Sequence, residues 1–481
     1  MTLENLLKKH FNFSSFRKGQ RQAVNSALQG HHTLVMLPTG TGKSLCYQLP
    51  SYAAQGLTVI ISPLLSLMQD QVETIKQRGE KRVATINSTI SSHERRYLLD
   101  HLANYRYLFL SPEMLAQPQI LHRLKQQDIL LFVVDEAHCI SQWGIDFRPE
   151  YLQIGTAIEK LNNPPVMALT ATATLKVQQE IKHYLHLTSR PLDEVIYPVD
   201  RSEIYYHVEH CRGDKDEKML SYLKRLTGAG VIYFRSKKTC DRLAARIQQE
   251  LFRPVASYHG DIDDVDREKI QQQFLEGTIE IVCATSAFGM GVDKENIRFV
   301  IHYHLPDSPE MYLQEVGRAS RDQKQGLALL LYEPGDERIH HFFQSQSYID
   351  EQELQAIYQQ AARLEAQELT SPVERLILYL AHQHVPFEKA REKISEHQHK
   401  KTHQLQFMLS YIYHEGCKRQ YLLNYFEEDK QPVTPCCSSC DPEFIEAIEA
   451  REAVSSQVQK QKRPHWENIL AELFNNISNE R

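Results

Sequence analysis

The sequence predicts an α/β protein: two tandem parallel-sheet domains, then a mainly helical segment ending in a cysteine cluster. Three observations lead there. Short apolar runs alternate with helical stretches in two successive series, separated by residues 191–209. The strand pattern stops near residue 335, and from there to Tyr425 the chain is helical in pattern and rich in Gln, Glu, His and Leu. Four of the nine cysteines crowd into residues 417–440, whereas Cys46, Cys139, Cys211, Cys240 and Cys283 stand singly.

The first series predicts strands at 33–37, 57–62, 130–135 and 166–170; the second predicts them at 231–234, 255–258, 279–284, 298–303 and 328–332. Most are near-continuous apolar runs, the pattern of strands covered by helices on both faces. Helical stretches between them imply parallel connections. Residues 191–209 read as a linker with an edge strand, 427–442 as a loop, and the polar tail carries one short helix near 466–474. The expected domains are 1–205, 206–335, 336–445 and a tail at 446–481.

A length of 481 residues suits about three compact units. The net charge of −6 excludes a broadly basic chain, so a nucleic-acid surface must be local. No apolar run is long enough to span a membrane, and the N-terminus lacks the pattern of a secretory signal. Scattered thiols fit a reducing cytoplasm better than a disulfide framework.

The strongest local signal is LPTGTGKS, residues 37–44, between a predicted strand and a predicted helix. That is the context of a phosphate-binding loop. Gly40 and Gly42 allow the tight turn that points N–H groups of the Thr39–Thr41 region at phosphate oxygens, and the helix adds its positive end. Lys43 supplies a point charge to the terminal phosphates, and Ser44 a hydroxyl to Mg²⁺. Leu37 stands where the pattern has its first Gly. Next, LLFVVDEAH places Asp135 and Glu136 at the C-terminal tip of a buried strand, where open α/β sheets bind ligands. Asp135 is expected to hold Mg²⁺ and Glu136 to orient and deprotonate the attacking water, with His138 closing the motif. A chance match or a surface carboxylate pair is the bland alternative; both motifs in strand context weigh against it. Together they predict a nucleotide hydrolase.

With these motifs in place, most of residues 1–445 resembles the RecQ family of DNA helicases. FNFSSFRKGQ resembles its N-terminal nucleotide motif, which implies that Phe13 stacks on adenine, Arg17 contacts the nucleotide and Gln20 reads the adenine edge. DEAHCISQWGIDFRPEY, residues 135–151, resembles the family's aromatic loop, implying DNA contact or coupling by Ser141, Gln142, Trp143, Phe147 and Arg148. Base stacking tolerates any sequence, which suits a motor that travels. Ile145 departs from the family's usual His there. SPLLSLMQDQV and SPEML resemble motifs that hold the DNA backbone, and ALTATAT resembles the motif linking DNA and ATP sites through Thr170 and Thr172. PVDRSEIYY is a loose match, with Ser202 and Glu203 in place of Pro and Asn, and no role is assigned to it. In the second half, VIYFRSKKTCD, SYHGDI and CATSAFGMGVDKENIRFVIHY match; Gly291 and Asp293 fall where the family approaches ATP. QEVGRASRD supplies Gln314, Arg318 and Arg321. The two arginines, three apart, would share one helical face and reach the γ-phosphate as arginine fingers. Ser320 replaces a usual Gly.

The resemblance implies two RecA-like domains and an ATP- and Mg²⁺-dependent superfamily 2 DNA helicase or translocase. ATP binding would close the cleft between lobes and hydrolysis open it. It implies 3′-to-5′ travel on single-stranded and forked DNA, in recombination and repair, by a cytoplasmic (in a bacterium, nucleoid-associated) monomer with no membrane contact. A single-strand-binding protein is a candidate partner. An RNA helicase of the same superfamily is one alternative, weakened by the aromatic loop and the cysteines. A nucleotide-gated DNA-binding scaffold is another, weakened by the full hydrolytic set.

The stretch 417–444 resembles the family's zinc segment. Structural zinc takes four ligands in a tetrahedron, often thiolates. Cys417, Cys437 and Cys440 fit the register, but Glu443 stands at the last cysteine position. Cys436 could substitute, Glu443 could bind through oxygen, or the metal could be lost. Too few residues follow for the winged-helix or small helical domain common in the family, so a short form is expected, with strand separation weaker than translocation. QKQKRPHW, residues 459–466, is basic with an aromatic and could touch DNA or a partner, but reads first as a solvated tail before a short helix.

Overall fold

The structure is a computed structural model that describes residues 2–63, 65–87, 89–142, 149–289, 294–346, 349–361 and 372–449. Trp143, Phe147, Arg148, Gly291, Asp293 and the tail from residue 450, with its predicted helix, lie outside the described residues.

The first sheet contains β1 His32–Met36, β2 Leu57–Ile61, β3 Val83–Ile86, β4 Tyr107–Leu110, β5 Ile129–Val134, β6 Val166–Thr170 and β7 Leu192–Ile196. Their order is β3-β4-β2-β5-β6-β1-β7, and every pairing is parallel. The second sheet contains β8 Ile204–His210, β9 Ala229–Tyr233, β10 Val255–Tyr258, β11 Ile281–Ala284, β12 Ile297–His302 and β13 Gly326–Tyr332, in the order β10-β11-β9-β12-β13-β8, again all parallel. Strands such as LTVII and IVCA are buried end to end, as a sheet covered on both faces requires.

Each strand position predicted from the apolar runs is occupied, with ends within two residues. β3 and β4 were not anticipated. Residues 191–209 hold two strands rather than one: β7 extends the first sheet beside β1, and β8 opens the second sheet beside β13. Because Ile204 and Tyr205 already pair with Gly326 and Leu327, the second domain starts before 206. Helix Pro442–Glu449 crosses the expected 445/446 boundary, since Ile445 and Ile448 are buried in the second sheet's core.

In the third segment, helices Glu351–Gln360 and Pro372–His382 pack with the start of helix Phe387–Tyr413 around a small separate core. The far half of that helix carries Leu405, Met408, Tyr411 and Ile412 into a core continuous with both sheets. At 27 residues it is about 40 Å long. Its last carbonyls would be unpaired; buried Lys418 Nζ takes up those of Tyr411 (3.0 Å), Ile412 (2.9 Å) and His414 (2.5 Å). No helix among the described residues is long and apolar enough to cross a membrane.

Candidate nucleotide cleft and metal centre

The register of the first sheet brings three motifs to one edge. β6 lies between β5 and β1, with Met36 opposite Thr170 and Val134 opposite Ala168. The loop after β1, the carboxylates after β5 and the threonines ending β6 therefore share the C-terminal rim.

In the loop, Leu37 is fully buried and its N–H donates to Thr170 O at 3.2 Å. Gly40 and Gly42 have φ of 79° and 75°, the left-handed region that favours glycine. Thr41 Oγ1 closes the turn on Pro38 O at 2.7 Å. Helix Ser44–Gln48 starts directly after Lys43. Burial lowers the pKa of Lys43, against the opposing pull of Glu136 and Asp135. Its Nζ lies 3.4 Å from Leu37 O.

Phe13 is exposed, as a stacking platform needs to be. Arg17 donates to Gly40 O, and its guanidinium is 3.9 Å from Glu295 of the second lobe. Gln20 is placed differently from the adenine-reading role. Its Oε1 accepts from Arg17 N (2.8 Å) and its Nε2 donates to Thr41 O (2.7 Å) and Gly42 O (3.2 Å). Here the amide shapes the phosphate loop; reading a base would require these bonds to exchange.

Asp135 is half-buried, and desolvation followed by the neighbouring Glu136 carboxylate pushes its carboxyl up to about 7. Glu136 has φ 48°, an uncommon conformation for a side chain of its size, and its N–H donates to Asp135 Oδ1 at 2.9 Å. Its Oε2 is buried without a hydrogen bond. His138 Nδ1 stands 3.4 Å from that oxygen and meets Thr170 Oγ1 at 3.0 Å; Thr170 Oγ1 in turn donates to Thr172 O (3.1 Å) and accepts from Thr172 N (3.3 Å). Thus the carboxylates and the two threonines form one polar chain. Ser141 is buried one turn beyond, and Gln142 ends the helical turn Cys139–Gln142. The two carboxyls of the rim, one with an unsatisfied buried oxygen, are donors suited to a hard divalent cation and its waters.

The second lobe faces this rim with helix Pro309–Val316, where Gln314 is half-buried. Arg318 and Arg321 do not share a helical face as the spacing suggested. The helix ends at Val316, and Ser320 at φ 59° turns the chain between them. That left-handed position explains why a glycine is usual there. The arginines consequently diverge. A Cβ on Gly40 would lie 2.6 Å from Arg321 Cγ, so Arg321 packs on the phosphate loop. Buried Arg318 donates to Gly289 O in its own lobe, and its Nε has no hydrogen bond.

Arg201, given no role from sequence, lies between these parts. It donates to Thr39 O (2.8 Å) and Gly317 O (3.1 Å), while Thr39 Oγ1 donates to Gly317 O at 2.7 Å. Its only sequence signal was the loose linker motif.

At the far side of β8, the sulfurs of Cys417, Cys436, Cys437 and Cys440 lie within 4.8 Å of one another. Cys417 Sγ is 3.7 Å from Cys436 Sγ and 3.9 Å from Cys437 Sγ. Four zinc–sulfur bonds of about 2.3 Å in a tetrahedron set sulfurs about 3.8 Å apart, so the thiols fit zinc. Cys436 completes the set; Glu443, in the first turn of helix Pro442–Glu449, is not part of it. Asp441 Oδ2 accepts from Cys436 N at 2.7 Å and fixes the adjacent-cysteine turn. Lys430 Nζ approaches Cys417 (3.3 Å), Cys440 (3.8 Å) and Cys436 (4.0 Å), placing a cation against the thiolates. Buried Arg419 joins this segment to the linker, donating to Asp200 Oδ1 at 2.5 Å, Arg201 O at 2.8 Å and Ile204 O.

Comparison with known proteins agrees with this layout. Residues 17–181 match the DEAD/DEAH box helicase model, 214–323 the helicase conserved C-terminal domain and 377–442 the RecQ zinc-binding model. The chain is 40% identical to the "Probable ATP-dependent DNA helicase RecS" of Bacillus subtilis, over 91% of this chain and 92% of that one. It is 32% identical to the ATP-dependent DNA helicase RecQ of the same organism, over 99% of this chain and 74% of that one. The solved structure of Mss116p with single-stranded RNA and AMP-PNP shares the fold, with a TM-score of 0.59 and 15% identity over 93% of this chain and 92% of that one.

Proposed function

Because the chain belongs to the RecQ family and is an ATP-hydrolysing DNA helicase of superfamily 2, we propose that it moves 3′-to-5′ along single-stranded and forked DNA as a monomer, in recombination and repair. ATP lies between the lobes. Loop N–H groups at Thr39–Gly42 and the Lys43 ammonium bind its phosphates, and Phe13, Arg17 and Gln20 border the base. Glu136, whose buried Oε2 accepts no hydrogen bond and lies 3.4 Å from His138 Nδ1, takes the proton of the attacking water. Asp135 and Ser44 would hold Mg²⁺, which neutralises phosphate charge when bound. Arg321, with Arg318 once it leaves Gly289 O, meets the γ-phosphate. His138, Thr170 and Thr172 carry the state of the site toward Ser141, Gln142 and the aromatic loop, where Trp143, Phe147 and Arg148 contact DNA. Gln314, Gly291 and Asp293 complete the second lobe's share. Cys417, Cys436, Cys437 and Cys440 would hold Zn²⁺, which fixes the fold of their segment.

The observation that carries this reading is the meeting of Gly40 and Arg321, residues of different lobes, at the phosphate loop. The test is strand displacement on 3′- and 5′-tailed duplexes with wild type, Arg318→Ala and Arg321→Ala. Unwinding of the 3′-tailed duplex alone, lost in the variants, is expected. Preference for the 5′ tail, or ATPase stimulated by RNA and not by DNA, would overturn it.

A further inference from the structure

We propose that Arg201 is a positioning residue for ATP hydrolysis, setting where Arg318 and Arg321 stand relative to the phosphate loop. The proposal rests on the cleft reading above. Arg201 belongs to neither sheet; it lies between β7 and β8. Its Nη1 donates to Thr39 O (2.8 Å) and Gly317 O (3.1 Å), and its Nη2 to Ala319 O (3.3 Å) and Ser320 O (3.0 Å). One planar group thus grips a carbonyl of the phosphate loop and three carbonyls of the turn bearing both arginines. Its plane is fixed from one side by Glu203, whose Oε1 accepts from Nε at 2.7 Å. Its backbone is fixed from the other by Arg419, which donates to Arg201 O and to Asp200.

Only a guanidinium can make this arrangement. It offers five N–H groups in a rigid plane, whereas an ammonium is a single point with three donors. The turn it grips needs outside support, because Ser320 holds a left-handed conformation and Gly317 has no side chain. The two segments move with different lobes, so the bridge defines their register. Misplacing a reacting group by about 1 Å can cost on the order of a hundredfold in rate.

The test uses the full chain: Arg201→Lys and Arg201→Gln, each alone and combined with Arg321→Ala. DNA-saturated ATPase is measured over a range of ATP, with thermal melting on the same samples. Arg201→Lys is expected to melt with wild type and to lose about tenfold or more in kcat while KM for ATP moves less than about twofold. The Arg201→Lys, Arg321→Ala double variant is expected to be no slower than Arg321→Ala alone, since the first residue acts through the second. Arg201→Lys with wild-type kcat overturns the proposal. So does a rise in KM at constant kcat, additive losses in the double variant, or unfolding of both Arg201 variants, which would make the residue a folding element. Normal turnover by Arg318→Ala and Arg321→Ala would instead bring down the cleft reading itself.

Discussion

Lys400 Nζ donates to Ser141 Oγ across 3.1 Å, joining helix Phe387–Tyr413 to the turn that leads into the aromatic loop. One turn further along the same helix, Gln404 Nε2 donates to both oxygens of Glu310 at 3.1 Å, and Tyr425 OH adds a third bond at 2.7 Å. Ser141 belongs to the first lobe and Glu310 to the second, so one rigid helix touches both within four residues.

Glu310 is buried and anchors Gln404 and Tyr425. Glu310→Ala leaves those donors unmatched and is expected to destabilise by about 2–3 kcal/mol, with Glu310→Gln costing about 1 kcal/mol. Urea unfolding followed by circular dichroism checks the ranking; equal stability of all three proteins would refute it.

Glu136→Gln removes the proposed base but keeps the side chain's shape. Turnover is expected to fall by roughly 10²–10⁴-fold with ATP still bound. Melting should not decline, because the lost charge is a buried oxygen without a hydrogen bond. Loss of nucleotide binding would point to a structural role instead.

The metal centre separates two ligand choices. Cys436→Ser is expected to lose zinc, while Glu443→Gln keeps one zinc per chain by elemental analysis. Lys430→Met should release zinc to a chromogenic chelator about tenfold faster or more, as loss of an outer-layer partner does. Retained zinc in Cys436→Ser would return Glu443 to the set.

Burial, then the nearby Asp200 charge, raises the Glu428 carboxyl to about 7, although Val199 N–H donates to it at 3.0 Å. A raised acid contributes stability that is complete below its unfolded pKa and lost as pH rises through the folded value, here from about 4.5 to about 7. Glu428→Gln stays uncharged and still accepts from Val199. It should exceed wild type by about 1 kcal/mol at pH 8, after allowance for solvent screening, and match it near pH 4.5. A gain that is the same at both pH values would exclude titration as the cause.

Ser320 combines a left-handed backbone with a buried hydroxyl that has no hydrogen bond. Ser320→Gly is expected to stabilise by about 1 kcal/mol, read as a higher denaturation midpoint.

Much of this was legible in the chain. Apolar runs such as VMALT announce buried strands because both faces are covered, and LPTGTGKS is recognisable because its glycines, lysine and serine are needed at fixed spacing. β3 and β4 were passed over, and their length of four residues is not the reason, since β10 and β11 are as short and were anticipated. β7 and β8 could not be told from a linker, since only pairing with β1 and β13 defines them. Cys436 was one of two candidate fourth ligands because register alone cannot weigh a neighbouring thiol against a carboxylate seven residues past it. Arg201 was silent for a deeper reason. Apart from Glu203, the partners of its guanidinium are carbonyls 116 to 162 residues away, and a carbonyl has no residue type to read.

β8 is the outermost strand of its sheet, and its far side is closed by the cysteine loop: Tyr206 N–H reaches Cys436 O at 3.3 Å, and Ser438 N–H reaches Tyr206 O at 2.9 Å. An ion that holds those thiols would also keep a cover over an open row of amides and carbonyls. Stripped of it, the molecule would offer a ready template for cross-molecular β-pairing, so chelation should first be seen as turbidity, ahead of any loss of helical signal.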